Sequence, residues 1–332
     1  MKGEKMMVIA SVMPKWRFEA ANVDVPQGWN VLFVNPMNDE ELISVCKGVE
    51  YLLVPAGFQN VTANVLRHCR QLKLVQTAGA GFDGVDYKAA KELGIPVANV
   101  PGQNADSVAE YTIGLIIVLQ RQLFVADRQV KTGQYSAIRQ KLFQQGLTEI
   151  GGSSIGLIGL GTIARKAAVI LNCLGASVSY YSNHRHLVEE ASLGVTYKSL
   201  QSLLSESDIV SLHVPLTDKT RGMIGENELL QMKATSFLIN TARGEIVDQT
   251  ALAKVLEAGK IAGAAIDVLY PEPPGNDHPL LQLSDNAKDK SLVTPHIGGV
   301  TVQSFHSMLT KAIENIQRVI DGQCPKYIVN DL

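Results

Sequence analysis

The stretch Ser154-Ile155-Gly156-Leu157-Ile158-Gly159-Leu160-Gly161-Thr162-Ile163-Ala164 decides the fold. It reads as an apolar strand that runs into a Gly-x-Gly-x-x-Ala turn and then a helix. Gly159 permits the tight turn. Gly161 lets the backbone approach a pyrophosphate with no Cβ in between, and Ala164 is small enough for the helix to pack close to its strand. A helix start offers free N–H groups and a positive dipole end to phosphate. Short glycine patterns occur by chance, and the strand before and helix after make this one informative.

Outward from this stretch, strands and helices alternate through most of the chain. Before it, residues 6–12, 31–34, 51–55 and 72–76 read as strands, with helices predicted over 40–46, 62–69 and 87–93. After it, the predicted strands are 155–159, 177–181, 209–214, 237–240, 263–267 and 292–294, and the helices include 163–174, 200–205, 226–232 and 250–257. This alternation is the signature of an α/β protein with parallel sheets and helices on their faces. Between the two series the sequence predicts one long, mostly buried helix from about 105 to 133, opened by Asn104-Ala105-Asp106-Ser107 as capping material. A last amphipathic helix is expected over about 302–320, with a tail at 326–330 able to return to the first series. The charged segment 284–290 reads as a solvated loop.

Composition excludes several classes. The 332 residues suit two domains of ordinary size. Hydrophobic residues make up 46% and charged residues 19%, so a substantial core is available and disorder is not expected. A net charge of −2 without long runs of one sign offers no footprint for nucleic acid or an acidic membrane. The four cysteines, Cys46, Cys69, Cys173 and Cys324, form no Cys-x-x-Cys pair, so neither a metal site nor a disulfide framework is indicated. The N-terminus lacks a signal peptide's long apolar region, and the most apolar helix is far shorter than a membrane span, so a soluble cytoplasmic protein is expected.

Polar residues cluster where the second series of strands ends. Strand 237–240 leads into Thr241-Ala242-Arg243-Gly244, strand 263–267 ends in Asp267 before Tyr270-Pro271-Glu272-Pro273-Pro274, and Val293-Thr294-Pro295 leads to His296-Ile297-Gly298-Gly299. Ligands of doubly wound sheets sit at the carboxyl ends of strands. An arginine there is a fixed cation able to hold a carboxylate in a bidentate pair.

With these blocks the chain resembles the D-2-hydroxyacid dehydrogenase family, which includes glyoxylate/hydroxypyruvate reductases and phosphoglycerate dehydrogenase. The resemblance covers essentially the whole length. It rests also on Ala78-Gly79-Ala80-Gly81-Phe82-Asp83-Gly84-Val85-Asp86, Ser107-Val108-Ala109-Glu110 and His213-Val214-Pro215-Leu216-Thr217. It implies two Rossmann-like domains around a cleft. A discontinuous substrate domain would comprise 1–104 and 300–332, and a dinucleotide-binding domain 105–299. It implies His296 as the acid that protonates the ketone oxygen and the base in reverse, and Glu272 as its carboxylate partner, favouring the imidazolium form. Arg243 would bridge the substrate carboxylate and carbonyl. The N–H groups of Ala80 and Gly81 would take the carboxylate in a backbone nest, with Asn104 near the substrate. Asp267 would accept from the nicotinamide carboxamide. Cofactor contacts are implied for Gly159, Gly161, Thr162, Ile163, Ser182, Asn183, Arg185, His213, Val214, Pro215, Thr220, Thr241, Ala242, Asp267, His296 and Gly298. A homodimer is implied, with the helical stretch after Asn104 as the contact. Glu272 excludes the family's formate dehydrogenases, which carry glutamine there.

The second strand of the dinucleotide fold ends Tyr181-Ser182-Asn183-His184-Arg185. Ser182 stands where NAD-preferring relatives place aspartate, so no carboxylate repels a 2′-phosphate, and Asn183 and Arg185 can hydrogen-bond it. NADP(H) is therefore favoured, with NAD(H) possible. The segment Pro55-Ala56-Gly57-Phe58-Gln59-Asn60 carries no Lys or Arg to hold a phosphate, and Phe58 offers an apolar wall. A small unphosphorylated 2-keto acid of the glyoxylate, hydroxypyruvate or pyruvate type is expected. A phosphite dehydrogenase-like enzyme and a dinucleotide-sensing regulator of the same fold are the alternatives.

Overall fold

The structure is a computed structural model, and it describes residues 7–56 and 61–332. The chain divides into two compact units, Met1–Asn104 with Val300–Leu332, and Ala105–Gly299. Each is built on one parallel sheet.

The first unit carries β1 (Met7–Ser11), β2 (Trp29–Phe33), β3 (Tyr51–Pro55), β4 (Leu74–Ala78) and β5 (Val97–Ala98) in the order β2-β1-β3-β4-β5. In β3, Tyr51, Leu52, Leu53 and Val54 are all at most 1% exposed. An uninterrupted apolar run is what a strand covered on both faces requires. The helix Val302–Ile320 is capped by Thr301, whose Oγ1 accepts from the Ser304 N–H. It lays Leu309, Ala312 and Ile316, spaced about one turn apart, onto this sheet. Two asparagines bind the chain's return. Asn315 donates to Gln76 at 2.6 Å and accepts from the Lys326 amide at 2.7 Å. Asn330 accepts from the Val97 amide at 3.0 Å and donates to the Ile95 carbonyl at 2.9 Å. Ile328 pairs antiparallel with Ala98, so the tail does rejoin the first sheet.

The second unit carries β6 (Ser154–Ile158), β7 (Ser177–Tyr181), β8 (Thr196–Tyr197), β9 (Ile209–Leu212), β10 (Phe237–Asn240), β11 (Gly263–Ile266) and β12 (Ser291–Val293). Their order is β12-β11-β10-β9-β6-β7-β8. The chain turns back on itself at β6, and such switch points are where open α/β sheets bind ligands. Gly156, in the middle of β6, has a packing role that its sequence context did not reveal. A Cβ there would stand 2.5 Å from both Leu203 Cδ2 and Ser207 Oγ.

Two expectations are corrected. The helix expected over 105–133 is two helices, Ala105–Gln120 and Leu123–Lys131, bent by 58°. Gln122 adopts a left-handed φ of 48° at the break, beside Gln120, whose buried side chain bonds the Glu149 carbonyl and Ser153. No Gly or Pro marks this turn, so no local signal reported it. The segment 284–290 is not a solvated loop throughout. Asp285–Lys288 is a short helix capped by Ser284, and Ala287 is fully buried. Helices at Lys15–Ala20, Tyr135–Gln145 and Leu187–Leu193 were not expected from the sequence. Gly57, Phe58, Gln59 and Asn60, the segment expected to lack phosphate ligands, lie outside the described residues. Among the described residues no single helix is long and apolar enough to cross a membrane.

Gly156→Ala is expected to destabilise the protein by about 1–3 kcal/mol, because the added methyl overpacks the sheet–helix interface. Thermal or urea unfolding measures this, and an unchanged midpoint contradicts it.

Candidate active site

Strand order converts distant sequence positions into neighbours. Strands β10, β11 and β12 are adjacent and parallel, so their carboxyl ends share one edge. Arg243, Glu272 and His296 follow these ends in turn. Continuing along the same edge come His213 after β9, Gly159 to Gly161 after β6, and Ser182 to Arg185 after β7.

His296 and Glu272 are paired: His296 Nδ1 lies 2.9 Å from Glu272 Oε2. The other carboxylate oxygen, Oε1, accepts from the Leu269 amide at 3.1 Å. Partial burial by itself pushes the Glu272 carboxyl up. The His296 hydrogen bond and charge, the Leu269 amide and the Arg243 charge outweigh it and hold the group below the ordinary glutamate range. Glu272 is therefore a carboxylate at neutral pH and can only accept, so Nδ1 carries the proton and Nε2 is left for other chemistry.

The loop that presents His296 is held by Asp267, which is 1% exposed. Its Oδ1 accepts from Thr294 Oγ1 at 2.7 Å and the Ile297 amide at 3.0 Å, and its Oδ2 from the Gly298 amide at 2.8 Å. The Asp267 carbonyl accepts from the His296 amide at 2.7 Å. His296 itself sits at φ 55°, a left-handed conformation uncommon for a side chain of this size. The Tyr111 ring stands against this loop, 3.1 Å from where a Cβ on Gly298 would lie, and closes the cluster. A contact from Asp267 to a nicotinamide carboxamide would have to use a lone pair left over from these bonds.

Arg243 is positioned by Asn240, the last residue of β10. Asn240 Oδ1 accepts from the Ala242 amide at 3.0 Å, and its Nδ2 donates to the Arg243 carbonyl at 2.9 Å. The next residue must be glycine. A Cβ on Gly244 would lie 2.4 Å from the Leu269 carbonyl and 2.8 Å from the Tyr270 amide. This bare contact brings the Arg243 loop against the loop that carries Glu272. Asn240, Gly244, Thr294 and Tyr111 are site residues that the sequence reading did not assign. A buried asparagine ending an apolar strand was the one signal that could have flagged any of them.

The fingerprint residues fit a dinucleotide. Gly159 has φ +100°, and a Cβ there would meet the His213 carbonyl at 2.6 Å. Gly161 faces open space, with no atom within 4 Å of a Cβ position. It caps the helix Thr162–Cys173 without any side-chain hydrogen bond, so no side chain competes for the first-turn amides. Ala164 is fully buried. His213 Nε2 lies 2.9 Å from Ser211 Oγ, and burial pushes the imidazole pKa down to about 4, so the ring is neutral. Thr220 Oγ1 donates to the Pro215 carbonyl at 2.6 Å and orders the turn after Val214. Thr241 meets Thr112 at 3.2 Å. At the end of β7, Ser182 Oγ bonds the His184 carbonyl, and Arg185 forms a two-pronged pair with Glu190, both contacts at 2.8 Å. Glu190 also accepts from the Tyr180 hydroxyl at 2.8 Å. Asn183 is exposed.

In the first unit, Gly79, Ala80 and Gly81 follow β4. The Gly79 carbonyl accepts from the Val100 amide at 2.9 Å, and the Ala80 carbonyl accepts from Asn99 Nδ2 at 2.8 Å. The amides of Ala80 and Gly81 have no acceptor among the described residues. Asn104, half-buried, ends this unit. Among the described residues no cluster of His, Cys, Asp and Glu could hold a metal ion.

Comparison with known proteins agrees with this geometry. Residues 113–298 match the family model for the NAD binding domain of D-isomer specific 2-hydroxyacid dehydrogenases. The chain is 38% identical over 296 residues to a glyoxylate reductase of Thermofilum pendens, covering 89% of this chain and 85% of that one. It is 34% identical over 284 residues to a hydroxypyruvate reductase of Thermotoga maritima, covering 84% and 88%. An acyclic imino acid reductase solved with NADPH and D-Arg superposes with a TM-score of 0.81 at 26% identity, over 97% of this chain and 100% of that one.

Gly161→Ala is expected to leave the unfolding midpoint unchanged but to weaken dinucleotide binding at least about tenfold, since its methyl points into the space a pyrophosphate needs. Gly244→Ala should show the reverse pattern and lower the midpoint by about 1–3 kcal/mol of stability. Calorimetric unfolding together with dinucleotide titration separates the two.

Proposed function

The chain belongs to the D-isomer specific 2-hydroxyacid dehydrogenases, a family of nicotinamide-dependent oxidoreductases, and on that basis we propose that it reduces a small unphosphorylated 2-keto acid to the D-2-hydroxy acid. The observation that carries this reading is the 2.9 Å pair of His296 with Glu272 at the strand edge that also presents Arg243.

The nicotinamide cofactor supplies the hydride when bound. The protein's own residues account for the rest. Arg243 binds the carboxylate and draws charge from the carbonyl. The amides of Ala80 and Gly81 are further ligands for the carboxylate, and Asn104 contributes near the substrate. His296, with Nδ1–H held by Glu272, delivers a proton from Nε2 to the ketone oxygen and takes it back in the oxidative direction. Glu272 stabilises the imidazolium that this exchange requires.

For the dinucleotide, we favour NADP(H), with NAD(H) as the second possibility. Ser182 places a hydroxyl where a carboxylate would repel a 2′-phosphate. Arg185 is within the same turn, although its charge is matched by Glu190 and a 2′-phosphate would have to compete with that carboxylate. The proposal includes a homodimer using the helical stretch after Asn104, where Ile117, Leu123 and Val130 are exposed, and a cytoplasmic location, in keeping with the buried free thiols of Cys46 and Cys69.

Turnover of NADPH and NADH with glyoxylate, hydroxypyruvate and pyruvate tests the reading, and binding without turnover across the panel would point to a sensor instead. His296→Gln should lower kcat about 10²–10⁴-fold, the usual contribution of a positioned acid. Arg185→Ala should raise KM for NADPH more than for NADH, and a wild-type preference for NADH would refute the NADP(H) assignment. The Glu272 carboxyl is depressed in the folded protein, so its contribution is complete above the ordinary glutamate pKa and is lost as pH falls through the lowered value. In Glu272→Gln kcat for keto-acid reduction should fall, because the carboxylate that holds Nδ1–H and supports the imidazolium form is gone. A kcat identical to wild type would contradict that role.

A further inference from the structure

Arg185, in the turn after β7, donates from Nε to Glu190 Oε1 and from Nη2 to Glu190 Oε2, both at 2.8 Å. Its guanidinium carbon lies 6.0 Å from the centre of the Tyr197 ring, so one edge is taken and an aromatic ring stands beside the group. Glu190, on the helix Leu187–Leu193, is in turn tied back to the strand. Its Oε1 accepts from the hydroxyl of Tyr180, a fully buried residue of β7, at 2.8 Å. The same hydroxyl accepts from the His186 amide at 2.7 Å, and its single proton is spent on Glu190. The Arg185 hydrogen bonds hold the Glu190 carboxyl below the ordinary glutamate range, so the group is a carboxylate at neutral pH.

An exposed ion pair usually joins two mobile side chains and contributes little. Here the two partners differ: the Arg185 side chain is 59% exposed and the Glu190 side chain only 15%. The carboxylate is fixed by the strand that runs into Ser182, and the arginine comes out from the surface to meet it. Arg165, on the helix that follows the glycine turn, is matched in the same way. Its Nε donates to the Leu160 carbonyl at 3.0 Å, and its Nη2 lies 2.9 Å from Glu189 Oε1. Two successive acids, Glu189 and Glu190, thus balance one arginine beside the glycine turn and one beside the end of β7. A phosphate group drawn to either cation meets a held negative charge next to it.

We propose that Glu190 sets the selectivity between NADP(H) and NAD(H), acting through Arg185. Its carboxylate occupies one edge of the guanidinium, cancels its charge and repels an incoming 2′-phosphate. The 2′-hydroxyl of NAD(H) carries no charge and is indifferent to the pair. Both dinucleotides are thereby kept within a narrow range of affinity, and Arg185 delivers only part of the preference that an unmatched arginine gives. Glu190 is a positioning residue, and Tyr180 is the anchor that keeps it in place. This inference rests on the dinucleotide site proposed above and names the residue that limits its preference for NADP(H).

The test is calorimetric titration of the full-length protein with NADPH and with NADH at one fixed ionic strength, because salt screens exposed charges. Glu190→Gln keeps an acceptor for the Tyr180 hydroxyl and removes the charge. It should tighten NADPH about three- to tenfold and leave NADH within about twofold. In the Arg185→Ala background the same substitution should lose most of its effect, which a purely structural role of Glu190 would not produce. An NADPH-to-NADH affinity ratio that is unchanged or lower in Glu190→Gln overturns the proposal, and so does an equal gain once Arg185 is gone. Should Glu190→Gln fail to fold, Glu190→Ala reads the same ratio, with the same result overturning it. If Arg185→Ala weakens NADPH while Glu190→Gln changes nothing, the role of Glu190 alone falls. If Arg185→Ala leaves NADPH binding untouched, the assignment of Arg185 to the 2′-phosphate falls and takes this proposal with it.

Discussion

The buried carboxylate of Asp267 is the constraint on which the candidate site depends. An ionised group with 1% exposure is costly unless it is fully solvated by the protein. Thr294 Oγ1 and the amides of Ile297 and Gly298, which donate to it, all come from the segment that presents His296. Moving that segment would strand a charge in the interior. The unusual φ of His296 is held in place by this penalty, a common arrangement where a chain stores local strain for function. Glu272 leaves the same strand end and is tied by the Leu269 amide. Acid and partner are therefore hung from one anchor, and their 2.9 Å separation follows from it.

The third member reaches the site by a different device. Arg243 belongs to the neighbouring strand, and its loop meets the Glu272 loop through backbone alone, at Gly244 against Leu269 and Tyr270. Two loops in backbone contact behave as one body, so the arginine's charge is delivered at a set place relative to the histidine pair. Asn240 completes the arrangement by bonding both an amide and a carbonyl of the turn. Preorganised charges and dipoles of this kind act without rearrangement when a reaction develops charge.

Much of the architecture is legible in the order of residues alone. β3, β7 and β10 lie where their apolar runs predict, and the last helix runs over Val302–Ile320 as its periodicity requires. Capping serine and threonine residues account for several starts. The misreadings share a cause. Gln122 turns the chain through a left-handed conformation with no glycine to announce it, and the burial of Ala287 comes from its packing in the folded second unit. Within the site, Gly159, Gly161, Arg243, Glu272 and His296 stand out because residue type and spacing carry their chemistry. Asn240, Gly244, Thr294 and Tyr111 do not, because their roles consist of contacts with residues remote in sequence.

The order of residues along the chain is enough for the α/β class, the dinucleotide turn, the family and the identities of the charged residues at the strand ends. Local periodicity and short motifs are written in neighbouring residues, and chemistry-bearing side chains are recognisable one at a time. The folded chain alone reveals the order of the strands, which puts Arg243, Glu272 and His296 on one edge, and the buried charge and bare-backbone contact that hold them there. Those depend on which distant segments meet, and a meeting of distant segments is settled by the summed packing and hydrogen bonding of the whole unit rather than by any local run of residues.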